Sequence, residues 1–332
     1  MAAFAAIQVA CLGQTSRPDA AAAHEYDEPV ALGRVADARI TEVSGIAASR
    51  RYPGLFYVHN DSGDRARVFV LDSAARTRAV VQLRGVTAED CEDMSIAPGA
   101  TPGTWDVCLA DIGDNSTRRA YVTIYRFGEP DLPAAGAAEQ ARAAQPRDAP
   151  LVEVDALTSR WSYADGPADA EAFCVDPRAG DGYVLTKRLD GRTFVYKLAA
   201  PWDGTRADAP SEVRIATRVA TVALPGGRGL PQAVTAADIS PDGTRLAVRC
   251  YIGGWELTRA APAGADAAAR EFESIFASAP EALPLPLDRQ PEALGYTADG
   301  RGLVTMAEGR TPVLWELREA GAPDTRPAPK PD

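Results

Sequence analysis

Five segments of the chain read alike, and no other feature limits its fold as much. They are SGIAASRRYPG from Ser44, EDMSIAPG from Glu92, EAFCVDPRAG from Glu171, TAADISPDG from Thr235 and EALGYTADG from Glu292. Each opens on an oxygen-bearing side chain. Apolar residues recur two and four positions later: Ile46 and Ala48, Met94 and Ile96, Phe173 and Val175, Ala237 and Ile239, Leu294 and Tyr296. That period of two predicts a strand with one buried face, and a Pro, Asp or Gly turn closes each segment. A second run follows every turn (GLFYVHND, TWDVCLAD, GYVLTKR, RLAVRCY, GLVTMAE), and then a third (RVFVLD, AYVTIYRF, TFVYKLA, GWELTR, PVLWELRE). Fourth strands are expected at RAVVQLRGV, LVEVDALTSRWSY and VRIATRVATVALP, with LPLPL a weaker one.

The fifth repeat has no fourth strand of its own, whereas EPVALGRV, residues 28–35, has no partner. Pairing the two closes a circle. The expected fold is therefore all-β, a β-propeller of five four-stranded blades closed by an N-terminal strand, with six blades as the alternative. It spans residues 25–319 as one domain, after a leader and linker over 1–24 and before a Pro-rich tail over 320–332 expected to be disordered. Two insertions, PAAGAAEQARAAQPRD and AGADAAAREFESIFASAP, fall between third and fourth strands, and the second reads as helical.

Bulk properties exclude several functions. A formal charge of -11 argues against nucleic acid and anionic membrane, which need basic surface, and suits a cation. The opening MAAFAAIQVACLGQTSRPDA is similar to the end of an export signal, and VAC makes Cys11 a candidate for lipidation. An exported protein is expected, secreted, periplasmic or lipid-anchored. No run reaches the ~18–20 apolar residues of a spanning helix, and a monomer is expected. Cys91, Cys108, Cys174 and Cys250 allow three pairings, of which Cys91–Cys108 joins neighbouring strands. No CxxC occurs, and with only His24 and His59 a zinc or copper site is not expected. There is no GxSxG, phosphate-binding loop, GxGxxG or HExxH.

In a propeller the first strand of each blade lines the central channel, so one register position in every blade forms a ring. Here that ring is Ser44, Glu92, Glu171, Thr235 and Glu292. Three buried carboxylates without a counter-ion repel one another or protonate. Ca²⁺, which takes 6–8 oxygens in flexible geometry, fits such a set better than Mg²⁺. The alternative is that these side chains only hydrogen-bond neighbouring backbone. Within AEDCEDMS, alternation sends Glu92 into the channel and Asp93 to the other side of the strand, with Glu89 and Asp90 in the approach loop. Glu42 is expected at the rim and Asp238 facing away from the ring.

The second strands end at the same mouth and are polar there: Asn60, Asp61 and Asp64; Asp111, Asp114 and Asn115; Lys187 and Arg188; Arg249; and Glu308. Turn formation explains many such residues singly. Lys187, Arg188 and Arg249 beside a cation suggest an anionic small-molecule ligand or substrate.

These ring residues, with TEVSGI…FYVHNDSG in the first repeat, resemble the calcium-activated nucleotidases (apyrases). That resemblance implies a five-bladed propeller holding one Ca²⁺ in its channel and hydrolysing nucleoside di- and triphosphates. It makes Ser44, Glu92, Glu171, Thr235 and Glu292 the metal ligands. Thr235 stands where the family has serine, and Asn60 where it tends to have a second acid beside Asp61. The chain is also similar to exported phytase-like or esterase-like propellers through NDSG, DIGDN and SPDG. The mechanism expected of an enzyme is metal-assisted hydrolysis of a phosphate ester or anhydride. Lys187 and Arg249 would stabilise charge, Asp61 or Asp114 would position water, and Asn60, Asp111, Asn115, Arg188 and Glu308 would bind substrate. The competing expectation is a calcium-stabilised module that binds a ligand or protein without catalysis.

Overall fold

Each recurring segment forms a strand whose bulky residues face one neighbour and whose small residues face the other. The computed structural model describes residues 24–133, 148–202, 204–206, 212–259 and 272–323. Strand β1 (Val30–Arg34) precedes a meander of β2 (Val43–Ala48), β3 (Leu55–Asn60), β4 (Arg67–Asp72) and β5 (Thr77–Leu83). Next come β6 (Cys91–Pro98), β7 (Trp105–Asp111), β8 (Val122–Gly128), β9 (Leu151–Val154) and β10 (Leu157–Tyr163). Then follow β11 (Ala170–Val175), β12 (Gly182–Thr186), β13 (Arg192–Leu198), β14 (Thr205–Arg206) and β15 (Val213–Ala223). The last are β16 (Val234–Ile239), β17 (Arg245–Cys250), β18 (Gly254–Thr258), β19 (Glu281–Ala282), β20 (Pro291–Tyr296), β21 (Gly302–Ala307) and β22 (Val313–Arg318).

Hydrogen bonding gives the orders β2-β3-β4-β5-β9, β6-β7-β8-β10, β11-β12-β13-β15, β16-β17-β18-β19 and β20-β21-β22-β1, with a parallel β10–β15 pairing joining the second and third. The N-terminal strand pairs antiparallel with β22, as expected. Strands β2, β6, β11, β16 and β20 pack side by side in a cycle, β20 returning to β2. The fold is all-β and propeller-like.

The inner strands β2, β11, β16 and β20 are buried on both faces, unlike the one-sided burial expected. Met94 and Ile96 fill the gap toward the preceding strands, as do Phe173 with Val175 and Leu294 with Tyr296. The intervening positions are small or polar: Gly45 and Ala47, Asp93 and Ser95, Ala172 and Cys174, Ala236 and Asp238, Ala293 and Gly295. This lets neighbours close up; a Cβ on Gly295 would meet the Ile46 carbonyl oxygen at 2.7 Å. Apolar clusters occupy every gap round the cycle, the last joining β20–β22 to β2–β5.

Several details differ from the sequence expectation. LVEVDALTSRWSY is two strands, since β9 pairs parallel with β5 and only β10 pairs with β8. In place of LPLPL, the fourth strand beside β18 is Glu281–Ala282, because Pro284 and Pro286 have no N–H for a ladder. Most of the two insertions lies outside the described residues, as do nearly all of the leader and residues 324–332 of the tail; the described end of the second insertion contains a 3-10 helix, Phe272–Ala277. All four described cysteines are buried free thiols. Cys91 opposes Asp111 and Cys108 opposes Ser95, and the two thiols pack into different apolar clusters, so the expected Cys91–Cys108 bridge does not form. Among the described residues no helix is long and apolar enough to cross a membrane.

Candidate metal centre and its mouth

A β-bulge interrupts every inner strand at the position read as the ring. The register slips between Val43 and Gly45, Cys91 and Asp93, Ala170 and Ala172, Val234 and Ala236, and Pro291 and Ala293. The residues left over are Ser44, Glu92, Glu171, Thr235 and Glu292. An extra residue in a strand bends it and re-aims side chains. The consequence is clear in β6, where Cys91 and Met94, three apart, enter the same cluster. Glu92 and Asp93 between them therefore share the opposite side.

That corrects the expectation for Asp93. Its Oδ2 accepts N–H bonds from Phe173 (2.9 Å) and Ala237 (3.2 Å), and Oδ1 accepts from Met94 (2.8 Å). The fully buried carboxylate thus bridges the inner strands just below the ring rather than facing away. Asp238 also faces an inner strand, accepting from the Tyr296 N–H at 2.8 Å.

The ring hydroxyls stitch neighbours together. Ser44 Oγ donates to the Glu92 carbonyl at 2.7 Å, and Thr235 Oγ1 to the Pro291 carbonyl at 2.9 Å. Both oxygens keep lone pairs. The three glutamates are buried, and their pKa values rise. Burial, then repulsion from Glu171, Asp61 and Asp90, lifts Glu92 to about 11. Burial lifts Glu171 to about 8 although the Lys187 ammonium opposes it. Lys187 Nζ touches Glu171 Oε1 and donates to Tyr251 OH at 3.1 Å, while Tyr251 OH donates to Glu292 Oε1 at 2.8 Å. Glu171 Oε2 is buried with no hydrogen-bond partner.

A second tier lies above. Asp61, Gly113, Lys187 and Glu308 each donate a backbone N–H to a carbonyl of the chain entering an inner strand, those of Glu42, Asp90, Asp169 and Gln290. Asp61, Asp90 and Glu92 bring carboxylate oxygens within 4.8 Å of one another, as do Asp61, Glu292 and Glu308. Burial and the neighbouring Asp61 raise Asp90 to about 6. Burial and the facing Glu292 raise Glu308 to about 8, and Glu292 rises with it. Glu42 is exposed at the rim.

Other residues expected at the mouth do different work. Asp114 Oδ1 and Oδ2 accept the N–H groups of Arg118 and Arg119, which closes the loop after β7. Asp111 accepts from the Glu89 and Asp90 N–H groups and pairs with Arg119 at 2.8 Å, so it holds Asp90 in place. Asn60 uses both ends of its amide, to Thr41 N, Glu42 N, Arg39 O and Asp64. Asn115 is exposed. Arg188 pairs with Asp190 and stacks on Phe194 at 4.0 Å. Arg249 is 1% exposed and bonds the Pro286 carbonyl at 2.8 Å, and burial lowers it to about 10. It lies in the gap between β17 and the 283–288 segment, so the structure does not bring it to the ring.

Sequence reasoning placed Asp90 only in the approach loop and missed Tyr251. Tyr251 follows Cys250, the residue paired with Val234, as Lys187 follows Thr186, paired with Ala170. Carrying the repeat register into the second strands would have found it. Compared with known proteins, the chain matches no family model and no curated protein, so its chemistry rests on these residues.

Proposed function

We propose that this chain is a five-bladed, four-strand-per-blade propeller that binds Ca²⁺ in its channel and hydrolyses phosphate esters or anhydrides at the mouth above it, in the manner of the nucleotidases it resembles. The observation that carries the reading is three glutamates from separate inner strands buried together with one ammonium between them. The donor set is all oxygen, two of its hydroxyls retain lone pairs, and Glu171 Oε2 has no partner, which suits a hard cation. Ser44, Glu92, Glu171, Thr235 and Glu292 would hold it, with Asp61, Asp90 and Glu308 above. Bound there, it would offset charge on phosphoryl oxygens. Asp61, common to both carboxylate groups, orients the attacking water. Lys187 carries the positive charge facing the substrate. Asp114 and Arg249 have no part in this version.

A second reading is a calcium-stabilised module that binds an anion without catalysis. It draws support from Asn60 and Asp114, whose polar groups already serve the fold. Phosphate release from ADP, ATP, phytate and p-nitrophenyl phosphate, with Ca²⁺ and with EDTA, separates the two. Release that requires Ca²⁺ is the expected result. No release from a protein whose Tm rises with Ca²⁺ would establish the binding module; a Tm indifferent to Ca²⁺ and EDTA would remove the metal site itself.

A further inference from the structure

We propose that Lys187 is a built-in counter-ion that an entering cation displaces from the ring, and that its release creates the anion-binding position at the mouth. The inference rests on the ring being a cation site. Lys187 Nζ holds Glu171 Oε1 and, through Tyr251 OH, reaches Glu292, so one ammonium ties together two of the three ring carboxylates. A divalent cation taken up by those oxygens replaces this charge and repels it.

Lys187 has somewhere to go. Its side chain is 17% exposed, and the residue borders an open cleft of about 430 Å³ together with Arg188, Asp190 and Arg228. A lysine is a compact charge on a flexible stem, and rotation of that stem carries the ammonium outward without moving the strand. In the cleft it joins two arginines, one of them already paired to Asp190. A phosphate group is the ligand this chemistry recognises. Cation and anion binding are then ordered and mutually favourable: the cation frees the lysine, and an anion that holds the lysine outside favours the cation by the same factor.

Calorimetric titration of metal-stripped wild type, Lys187→Met and Lys187→Gln with Ca²⁺, and of each with inorganic phosphate at zero and saturating Ca²⁺, tests this. Both variants should bind Ca²⁺ about tenfold tighter than wild type, the factor a displaced charged hydrogen bond represents. Wild type should bind phosphate more tightly when Ca²⁺ is present, and both variants should lose that gain. Metal-free variants should melt below wild type yet show the larger Ca²⁺-induced rise. If wild type takes up no Ca²⁺, the ring reading fails and this inference with it. If wild type binds Ca²⁺ and the variants bind it equally or more weakly, Lys187 is part of the site rather than its competitor, and only the inference is overturned. A phosphate affinity that ignores Ca²⁺ in wild type overturns it as well.

Discussion

Asp93 shows how much can depend on one side chain in a bulged strand. It has no exposed surface and accepts three backbone N–H groups from β6, β11 and β16. Burial pushes its pKa well up, and those three bonds pull the other way. Replacing it by alanine leaves all three donors buried and unmet. Asparagine keeps one carbonyl oxygen for Phe173 and Ala237 but turns an NH₂ toward the Met94 N–H. An unsatisfied buried donor costs about 1–3 kcal/mol. Asp93→Asn should therefore lose about that much in urea unfolding at an unchanged m-value, and Asp93→Ala more. An Asp93→Asn protein as stable as wild type would mean that the carboxylate is not what ties these strands together.

At the scale of the element, the same bulges separate what the sequence made legible from what it did not. The recurring segments were readable because bulky residues at the second and fourth positions after Ser44, Glu92, Glu171, Thr235 and Glu292 must face a core, and the turns after them are local. Glu92 could be assigned to the channel from its place in the repeat, since strict alternation alone would have put it on the face of Met94. Asp93 could not, because a one-residue bulge reverses every inside–outside assignment on one side of it, and no composition signal marks it. Strand partner choice was equally hidden. Nothing in LVEV shows that β9 pairs with β5 rather than continuing into β10. The loop bonds of Asp114 and the burial of Arg249 were not legible either, because charge near a strand end does not reveal whether it meets solvent, a backbone N–H or the interior. The loop leaving β7 carries its own test. At Gly113 a Cβ would overlap Glu92 Oε1 and Asp90 Oδ2. Gly113→Ala should push both carboxylates aside, leave the fold intact by circular dichroism, and weaken Ca²⁺ binding at least about tenfold, roughly one lost charged contact. Unchanged Ca²⁺ affinity would show that Glu92 and Asp90 are not ligands.

Across the whole molecule, closing a circle of sheets concentrates charge that no single element would tolerate. Each inner strand contributes one polar residue at its bulge, and the geometry of closure forces the three glutamates together, with Asp61, Asp90 and Glu308 above them. With no cation bound, burial and mutual repulsion raise Asp90 to about 6, Glu171 and Glu308 to about 8, and Glu92 to about 11, all above ordinary carboxyl groups. A group whose folded pKa is raised binds more protons folded than unfolded, so its contribution is present below the unfolded pKa and is lost as pH rises toward the folded one. Unfolded carboxyls titrate near 4. Stability without metal should therefore fall from about pH 4 through pH 8, opposite to the trend of a protein held by ordinary carboxylate ion pairs. On the proposed function it is the deprotonated ring that takes up Ca²⁺, so Ca²⁺ should stabilise little at pH 5 and strongly at pH 8. Melting curves in EDTA and in Ca²⁺ across that range should start close together at the acid end and diverge as pH rises. Parallel curves, or an EDTA curve that climbs with pH, would mean that the clustered glutamates are not held protonated in the metal-free fold and that calcium is not what relieves their repulsion.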